Sequence, residues 1–438
     1  MQPNILWICT DQQRFDSLGC YGNEYVRTPN IDRLAEKGML FENSFSQATL
    51  CTPSRASFLT GRYPRTTRCR QNGQSIPADE VLVTRLLADA DYTCGLSGKL
   101  HISACNPSVN YATERRINDG YTEFHWSHHP PEDWPTNEYN QWLRAKGKEF
   151  KPQPFEECEY VKVGMDAEDH QTTWCAEKAI QFIETNQNFS RPWLFSVNMF
   201  DPHHPFDPPA SHFQRYLDQL NDLPLPNYAE GELESKTFFQ RFDHHGAYAN
   251  PKLLPYSSMN DQDHRYIKAA YWAMIDLIDE QVGRIMEALE RTGQLDNTMV
   301  IFMSDHGELL GDHGVYLKGP FFYEPSIRVP LIISYPGFVQ ENQRSNQLVE
   351  LVDLAPTILE SADLPIHPGM QGKSMWSLLT GDNPAEKHRE DVYCEHYNAG
   401  FKQGGIGAHA TMIRTERYKL VQYHNHSDGE LYDLSNDP

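Results

Sequence analysis

The sequence predicts an α/β fold, in which helices cover both faces of a mostly parallel sheet and a small antiparallel sheet follows at the C-terminal end. Short apolar runs alternate with helical periodicities along most of the chain, as they do in parallel α/β sheets. Hydrophobic residues make up 39% of the sequence and aromatic residues 12%, which is enough for a large core. Near residue 384 the pattern changes to short strands in close succession.

The 438 residues exceed the size of one ordinary domain core. We therefore predict one large α/β domain at 1–383 and an antiparallel subdomain at 384–438. Two stretches rich in Pro, His, Trp and Asn interrupt the larger domain and predict loop-rich insertions, at about 106–168 and at about 206–258.

The individual elements follow from apolar spacing and from stop signals. Apolar runs predict strands at 4–10, 38–45, 92–97, 193–199, 297–303 and 329–335. Helical spacing, with glycines such as Gly38 and Gly61 as stop signals, predicts helices at 29–38, 54–60, 84–90, 138–146, 174–186, 264–292 and 353–361. The short strands of the C-terminal sheet are predicted at 392–396, 410–415, 418–424 and 431–434.

The charge balance excludes two classes of partner. Lys and Arg number 38 against 60 Asp and Glu, so the formal net charge is −22. Nucleic acids and anionic membranes both require a basic surface, so we predict that the protein binds neither. The same charge would repel small anions unless one pocket locally reverses its sign.

Cysteine usage and the N-terminus bear on the cellular compartment. The nine cysteines are odd in number and form no CxxC pair, which predicts reduced thiols and no disulfide framework or zinc site. The first residues lack the basic and apolar regions of a signal peptide, and no run is long enough to span a membrane. We predict a cytoplasmic protein, although a mature periplasmic or secreted form would look the same. The oligomeric state stays open.

Several polar clusters follow the predicted strands directly. Asp11 and Gln12 follow the first strand, and Lys99 and His101 follow the strand at 92–97. The other two clusters are at His203, and at Asp305 and His306. A lone Asp in such a position is usually a helix cap, and a lone His is usually just hydrogen-bonded. Because ligands of these sheets bind beyond the carboxyl ends of the strands, four clusters at corresponding ends predict a shared binding site.

The most specific motif is the string Cys51-Thr-Pro-Ser-Arg-Ala-Ser-Phe-Leu-Thr-Gly-Arg62. A cysteine at a helix start can be a thiolate nucleophile of lowered pKa. This string, however, resembles the signature of the type I sulfatases at every defining position, and the resemblance extends from Asn4 to the end of the chain. It implies the alkaline phosphatase-like fold with a small C-terminal subdomain. It also implies that a formylglycine-generating enzyme oxidises Cys51 to formylglycine, an aldehyde that acts as its hydrate.

The implied chemistry suits these residue types. The sulfur of an anionic sulfate ester must be attacked in line by an oxygen, which a gem-diol supplies, and the second hydroxyl of the diol lets it collapse to the aldehyde and expel sulfate. A divalent cation and fixed positive groups neutralise the sulfate oxygens. The resemblance implies metal ligands at Asp11, Gln12, Asp305 and His306. It further implies that Arg55 holds the aldehyde hydrate, Lys99 and Lys318 contact sulfate, His101 is the base for the collapse, His203 protonates the leaving oxygen, and Asn72 contacts substrate.

Two departures from the family pattern keep alternatives open. Many members have Asp at the position of Gln12 and Asn at that of His306. The oxygen ligands favour Ca²⁺, but an imidazole makes Mn²⁺ or another divalent metal conceivable. The Asp-Gln and Asp-His pairs, found here at Asp11-Gln12 and Asp305-His306, also occur in the formylglycine-using phosphonate monoester hydrolases, which act on phosphodiesters. Against that alternative, Gly98-Lys99-Leu100-His101 has the form that this loop takes in sulfatases. A third alternative is an inactive sulfate-binding member in which Cys51 stays a thiol.

The remaining predictions concern the substrate. We prefer a sulfated carbohydrate, because the stretch 125–130 with Trp134 and Trp142 could form a sugar-stacking rim, although an ordered surface loop explains it equally well. An aryl or choline sulfate stays open. His396 is either a substrate contact from the subdomain or structural, and Asp312-His313 is expected to orient the loop to Lys318. Family members commonly continue with another helix after Leu431–Pro438, so we expect a shortened C-terminus.

Overall fold

The computed structural model describes residues 2–108, 114, 118–382, 387–398 and 407–436. Its strands are β1 Asn4–Thr10, β2 Met39–Phe45, β3 Thr93–Gly98, β4 Tyr121–Trp126, β5 Gln153–Pro154, β6 Lys162–Val163, β7 Trp193–Asn198, β8 Thr298–Ser304, β9 Leu331–Ser334, β10 Gln343–Glu350, β11 Asp391–Tyr397, β12 His409–Thr415, β13 Tyr418–Tyr423 and β14 Gly429–Asp433. Its α-helices are α1 Pro29–Glu36, α2 Cys51–Thr60, α3 Pro64–Thr67, α4 Val83–Asp89, α5 Glu138–Ala145, α6 Gln171–Asn186, α7 Ala210–Leu217, α8 Phe238–Asp243, α9 Asp261–Arg291, α10 Glu324–Ile327, α11 Leu354–Ser361 and α12 Trp376–Thr380. The predicted boundary at 383/384 lies outside the described residues.

The central sheet has eight strands in the order β10-β2-β9-β8-β1-β7-β3-β4. All neighbours pair in parallel except β9, which runs antiparallel to both β2 and β8. The prediction of a mostly parallel sheet is therefore confirmed. The strands β4 and β10 were not predicted. Both lie at the edges of the sheet, and β10 is exposed over its first half, so neither has the continuous apolar run of a central strand.

Helices cover both faces of the sheet, and β1 shows how the two faces are built. Its residues alternate between the faces. Leu6 and Ile8 belong to a core that includes buried residues of α6 and α9. Ile5, Trp7 and Cys9 belong to a core on the opposite face, which includes residues of α2, α4 and α11. The long helix α9 begins at a capping box formed by Asn260 and Asp263. No helix in the described part of the chain is both long and apolar enough to cross a membrane.

The C-terminal sheet is antiparallel, in the order β11-β12-β13-β14, as predicted. Its apolar face packs with Phe45, at the end of β2, in a third core. The backbone of Glu395 in β11 donates to the carbonyl oxygen of Gln47 at 3.0 Å, and Glu395 forms a parallel bridge with Ala48. The C-terminal sheet is therefore docked against the segment that leads from β2 to Cys51.

Candidate active site

The polar clusters that follow the strands meet at one end of the central sheet. A cavity of about 960 Å³ opens there. The predicted site residues that line it are Cys51, Asn72, Lys99, His101, His203 and Lys318. Asp11, Gln12, Arg55, Asp305 and His306 are buried beneath it, each at most 1% exposed. The structure thus brings together all predicted site residues except His396.

Cys51 is the first residue of α2, which begins three residues before the predicted start. Pro53 lies in the first turn, where its missing N–H costs no helical hydrogen bond, and Ser54 donates the first one to the carbonyl oxygen of Leu50 at 3.2 Å. The Cys51 sulfur lies 3.1 Å from Lys318 Nζ and 3.0 Å from His306 Nε2. Negative charge that develops at the end of this side chain is therefore stabilised.

The pKa of Cys51 reports the same positive surroundings. Burial and the nearby carboxylate of Asp11 raise the pKa of a thiol, but Lys318, Lys99 and His306 outweigh both and lower the pKa of Cys51 to about 5. Cys9, which is equally buried on β1, shows the opposite behaviour, because burial there raises the pKa of the thiol well above its ordinary value. Position 51 thus differs from the buried structural cysteines in its electrostatics.

A buried ion-pair network holds the carboxylates beneath Cys51. Arg55 bonds Asp305 Oδ2 through Nε at 2.8 Å and Asp11 Oδ2 through Nη2 at 3.2 Å. Its Nη1 donates to the carbonyl oxygen of Lys99 at 2.6 Å, and Lys99 Nζ lies 2.5 Å from Asp11 Oδ2. Although burial alone would raise it, the pKa of Asp11 lies well below its usual range because Lys99, Arg55 and Lys318 surround the carboxylate. Arg55 therefore fixes both carboxylates and the chain at Lys99.

The donor set beneath the cavity fits a divalent cation. His306 Nδ1 donates to the carbonyl oxygen of Gly307 at 2.9 Å, so in the neutral ring the lone pair of Nε2 points away from that contact. Nε2 lies 3.9 Å from Asp11 Oδ1 and 3.7 Å from Asp305 Oδ1. One donor atom from each of Asp11, Cys51, Asp305 and His306 lies within 4.8 Å of the others. Two carboxylates and an imidazole nitrogen at this spacing suit Ca²⁺ or Mn²⁺.

Gln12 has a positioning partner that the sequence analysis missed. Its backbone has a left-handed φ of 64°, its amide nitrogen bonds the carboxylate of Glu308, and its Oε1 accepts from Lys318 Nζ at 2.6 Å. Glu308 is fully buried and also accepts from the backbone N–H of Leu310 at 2.8 Å and of Leu317 at 2.5 Å. Because Glu308 binds the amide nitrogen of Gln12, the amide oxygen of Gln12 is turned toward the ammonium group of Lys318. A lone Glu after His306-Gly307 carries no sequence signal for this role.

Two predicted catalytic histidines approach Cys51 from other strand ends. His203 Nδ1 donates to the carbonyl oxygen of His204 at 2.6 Å, and its Nε2 lies 3.0 Å from Lys318 Nζ. The ring of His101 lies 4.5 Å from that of His128, and its Nδ1 has no hydrogen-bond partner in the described part of the chain. Burial and the nearby lysines hold the pKa of His203 and of His101 well below the usual range. A bound anion would raise both pKa values.

The residues predicted near the substrate divide between two places. Asn72 lines the active-site cavity, and its Oδ1 accepts from the backbone N–H of Thr52 at 3.1 Å. His396 lies outside that cavity, is 2% exposed and has its Nδ1 2.7 Å from Thr49 Oγ1. Both alternatives for His396, a substrate contact from the subdomain and a structural residue, stay predictions.

The predicted aromatic rim is only partly present. His128 and His129 line the active-site cavity. Trp134 instead stacks on Trp126, with ring centroids 6.2 Å apart, and Trp142 packs against Tyr139, so neither of these tryptophans lines the cavity.

The insertion at about 206–258 contributes cavity residues that no motif marked. Tyr248, Asn250 and Leu253 line the active-site cavity. Tyr248 has a left-handed φ of 55°, and Asp243 Oδ1 accepts from the backbone N–H of Ala249 at 3.0 Å.

Asp312 bonds Arg14 at 2.8 Å and the backbone N–H of Asn227 at 2.8 Å, contacts that fit the predicted loop-orienting role.

Comparisons with known proteins show the family of the chain. A family model described as Sulfatase matches residues 3–364, and one described as N-sulphoglucosamine sulphohydrolase, C-terminal, matches residues 311–438. An arylsulfatase of Clostridium perfringens is 29% identical over 460 residues, covering 100% of this chain and 89% of the relative. An N-acetylglucosamine-6-O-sulfatase of Bacteroides thetaiotaomicron is 26% identical over 488 residues, covering 100% and 81%. A solved phosphonate monoester hydrolase of Agrobacterium radiobacter has a TM-score of 0.83 at 25% identity, covering 100% and 90%.

These likenesses confirm two predictions. The mostly parallel sheet with its C-terminal antiparallel sheet is the alkaline phosphatase-like fold that the resemblance implied. The first family model spans far more than half of the chain and includes the whole string from Cys51 to Arg62. The chain therefore belongs to the sulfatase family and is a sulfuric ester hydrolase.

Proposed function

We propose that the protein is a formylglycine-dependent sulfatase that hydrolyses a sulfate monoester of a carbohydrate to the alcohol and inorganic sulfate. The observation that carries this proposal is the placement of Cys51 at a helix start, within 3.1 Å of both Lys318 Nζ and His306 Nε2. Conversion of Cys51 by a formylglycine-generating enzyme would supply the oxygen nucleophile at this position. Tight packing of positive groups around it suits an anionic ester.

The cationic groups of the cavity have distinct roles in this proposal. Lys318, Lys99 and His203 bind the sulfate oxygens, because they converge on residue 51 from three different chain segments. Arg55 holds residue 51 and the carboxylates of Asp11 and Asp305 at fixed positions relative to one another. His101 is a neutral imidazole, and its Nδ1 has no hydrogen-bond partner within the described residues. In the proposed reaction it accepts the proton of the second hydroxyl of the diol, which collapses to the aldehyde as sulfate leaves. His203 delivers a proton to the leaving oxygen once a bound anion has raised its pKa.

A divalent metal completes the proposed site. Asp11, Asp305 and His306 would hold it, and Gln12 would add its amide oxygen, which Glu308 turns toward this centre. Ca²⁺ suits the oxygen donors, whereas the imidazole also admits Mn²⁺ or another divalent metal. When bound, the metal neutralises negative charge on the sulfate group.

The substrate class is proposed from the cavity and the relatives. A cavity of about 960 Å³ is larger than a sulfate group needs and has rings and polar groups at its walls, including His129, Tyr248 and Asn250. Such walls suit a sugar, which presents both apolar faces and hydroxyl groups. The N-acetylglucosamine-6-O-sulfatase among the relatives points to the same class.

The alternative is a phosphonate monoester or phosphodiester hydrolase that uses the same machinery. The likeness to the phosphonate monoester hydrolase and the sequence pairs Asp11-Gln12 and Asp305-His306 favour it. Against it, the cavity offers three donors, Lys99, Lys318 and His203, as many as a sulfate ester has non-bridging oxygens. The phosphonate or phosphodiester group has only two, so one cationic donor would face a carbon or an ester oxygen.

We therefore expect purified enzyme with converted Cys51 to hydrolyse 4-nitrophenyl sulfate with a kcat/KM at least about tenfold above that for 4-nitrophenyl phenylphosphonate, because an unpaired charged donor costs the substrate at least that factor. Release of 4-nitrophenol measures both rates. A higher kcat/KM for the phosphonate would reverse the assignment and establish the alternative.

A second prediction concerns His203 as the proton donor. Replacing it by alanine should lower kcat/KM for a sugar sulfate by about 10²–10⁴-fold, because its alcohol leaves poorly without a proton. Turnover of 4-nitrophenyl sulfate, whose leaving group needs no proton, should fall far less. His212→Ala removes a histidine that pairs with Glu280 outside the cavity and serves as the control. Equal losses on both substrates would exclude the donor role.

A further inference from the structure

A second cavity, of about 320 Å³, lies where α3 and the residues after it face the C-terminal sheet. Its charged and ring-bearing lining residues are Arg65, Arg70, His396, Tyr397, His409 and His424. No carboxylate lines it in the part of the chain that the structure describes. In a protein with a formal net charge of −22, such a lining is a local reversal of sign. We name it the arginine–histidine cavity.

The arginine–histidine cavity is next to the active-site cavity along three chain segments. Arg70 precedes Asn72 by two residues, Tyr397 directly precedes Asn398, and His409 follows Gly407 by two residues; the second member of each pair lines the active-site cavity. Residues two apart have Cα atoms at most about 8 Å apart. One substrate can therefore reach both cavities.

Arg70 is held in place as a binding group. Its Nε bonds Glu395 Oε1 at 3.0 Å, and its guanidinium lies 3.7 Å from the ring centroid of Tyr397. Glu395 is only 2% exposed and lies behind the cavity lining. Within the described residues Glu395 is the only hydrogen-bond partner of the Arg70 side chain, so the two terminal amino groups of the guanidinium remain able to donate. A planar fork fixed in this way suits an anion with two oxygens.

The histidines add groups that can take up a proton beside a bound anion. The ring of His409 packs edge-on against Tyr397 at 4.6 Å, on the same side chain that supports Arg70. Burial holds the pKa of His409 below its ordinary value, and Arg70 and His424 lower it further because their positive charges are close. An anion between these groups would relieve that repulsion. Another cavity, of about 1080 Å³, differs, because its arginines and lysines share the wall with Asp16, Glu232, Asp312 and Glu324.

We propose that the arginine–histidine cavity binds a second anionic group of the substrate, a sulfate or a carboxylate, while the scissile sulfate ester lies at residue 51. The inference rests on the proposed sulfatase function and narrows its substrate class to saccharides that carry at least two anionic groups. Arg70 is the main contact, and His409 and His424 surround the same anion.

Binding to the full chain carrying Cys51→Ala tests this without turnover. The probes are three sulfated glucosamine disaccharides: one with a single sulfate, one with two, and one with a single sulfate and a uronate carboxylate. Calorimetry should show that the second anionic group tightens binding by about tenfold to hundredfold. Arg70→Ala should remove this gain, and comparison of the last two probes tells sulfate from carboxylate. Equal affinity for all three probes before Arg70 is changed would overturn the proposal.

Controls separate this cavity from general charge effects. Arg68→Ala removes a nearby arginine that pairs with the exposed Asp79 and lines neither cavity, and it should keep the full gain. His424→Ala, a smaller change at the far wall, should reduce the gain. If Arg70→Ala weakens all three probes equally, its role is structural and the proposal is wrong.

Turnover distinguishes a failure here from a failure of the proposed function. Arg70→Ala should leave 4-nitrophenyl sulfate turnover within about twofold of the unchanged enzyme, whereas KM for the disulfated disaccharide rises with kcat retained. If the unchanged enzyme hydrolyses no sulfate ester, the proposed function fails, and the calorimetric result still decides whether the cavity binds anions. If both substrates lose activity in parallel, the cavity has no selective role.

Discussion

Cys51→Ala is expected to lower kcat for 4-nitrophenyl sulfate by at least about 10⁴-fold, because removal of a covalent nucleophile leaves only binding and electrostatic stabilisation. The surrounding positive groups would remain, since Lys318 and His306 have other partners in the network. The variant should therefore still bind sulfate esters. Rate measurements at saturating substrate and calorimetry on the same preparation separate the two effects.

The cysteine experiment has a matched control and a chemical readout. Cys20→Ala removes a half-buried thiol that lines neither the active-site cavity nor the arginine–histidine cavity, and it should retain activity. In the unchanged protein, the peptide that contains Cys51 should be lighter by about 18 Da than its thiol form, because oxidation of the thiol-bearing carbon to an aldehyde removes one sulfur and two hydrogens and adds one oxygen. Full activity in Cys51→Ala would exclude the covalent mechanism. A thiol at Cys51 in active enzyme would exclude formylglycine.

The central strands could be predicted from the sequence because both of their faces are buried. β1 and β8 are buried at every residue and read as continuous apolar runs. The edge strands could not, because β4 contains exposed and half-buried polar residues such as Thr122 and Glu123. Edge strands owe their place to pairing with a neighbour, and no local pattern records that pairing.

The centre of the site was predictable for a related reason. Asp11, Lys99 and Asp305 directly follow strands, and parallel strands bring their carboxyl ends to one edge of the sheet. Glu308 and Tyr248 were not predictable, because each acts from an irregular segment whose path depends on buried hydrogen bonds. That Arg70 and His409 line the same arginine–histidine cavity was not predictable either, because it depends on how the C-terminal sheet docks against the rest of the chain.

The charge of the chain also has a different meaning in the structure. The excess of acidic residues predicts repulsion of anions. Both cavities that we propose to bind anionic groups are lined by cationic side chains, while the carboxylates Asp11, Asp305 and Glu395 lie behind their walls and fix the cations. Buried acids thus serve to position cations that line the cavities, and the net charge of the chain does not describe its binding sites.

Arg55→Ala should show how much the fold depends on this arrangement. Arg55 is 1% exposed and is ion-paired with both Asp11 and Asp305, so its removal leaves two buried carboxylates with fewer partners. Breaking such a buried pair costs about 3–5 kcal/mol, since the remaining charge stays desolvated. We therefore expect the free energy of unfolding of the chelator-treated protein, measured by urea denaturation, to fall by about that amount.

The metal gives this prediction its specific test. A divalent cation between Asp11 and Asp305 would neutralise part of the charge that Arg55 leaves behind, so added Ca²⁺ should recover more stability in Arg55→Ala than in the unchanged protein. Arg55→Lys keeps the charge but lacks the planar fork, and we expect an intermediate loss. Arg68→Ala, at an exposed pair, should leave the unfolding midpoint unchanged. An Arg55→Ala protein as stable as the original without metal would mean that the remaining positive groups around Asp11 and Asp305 compensate both buried carboxylates, and the prediction would be wrong.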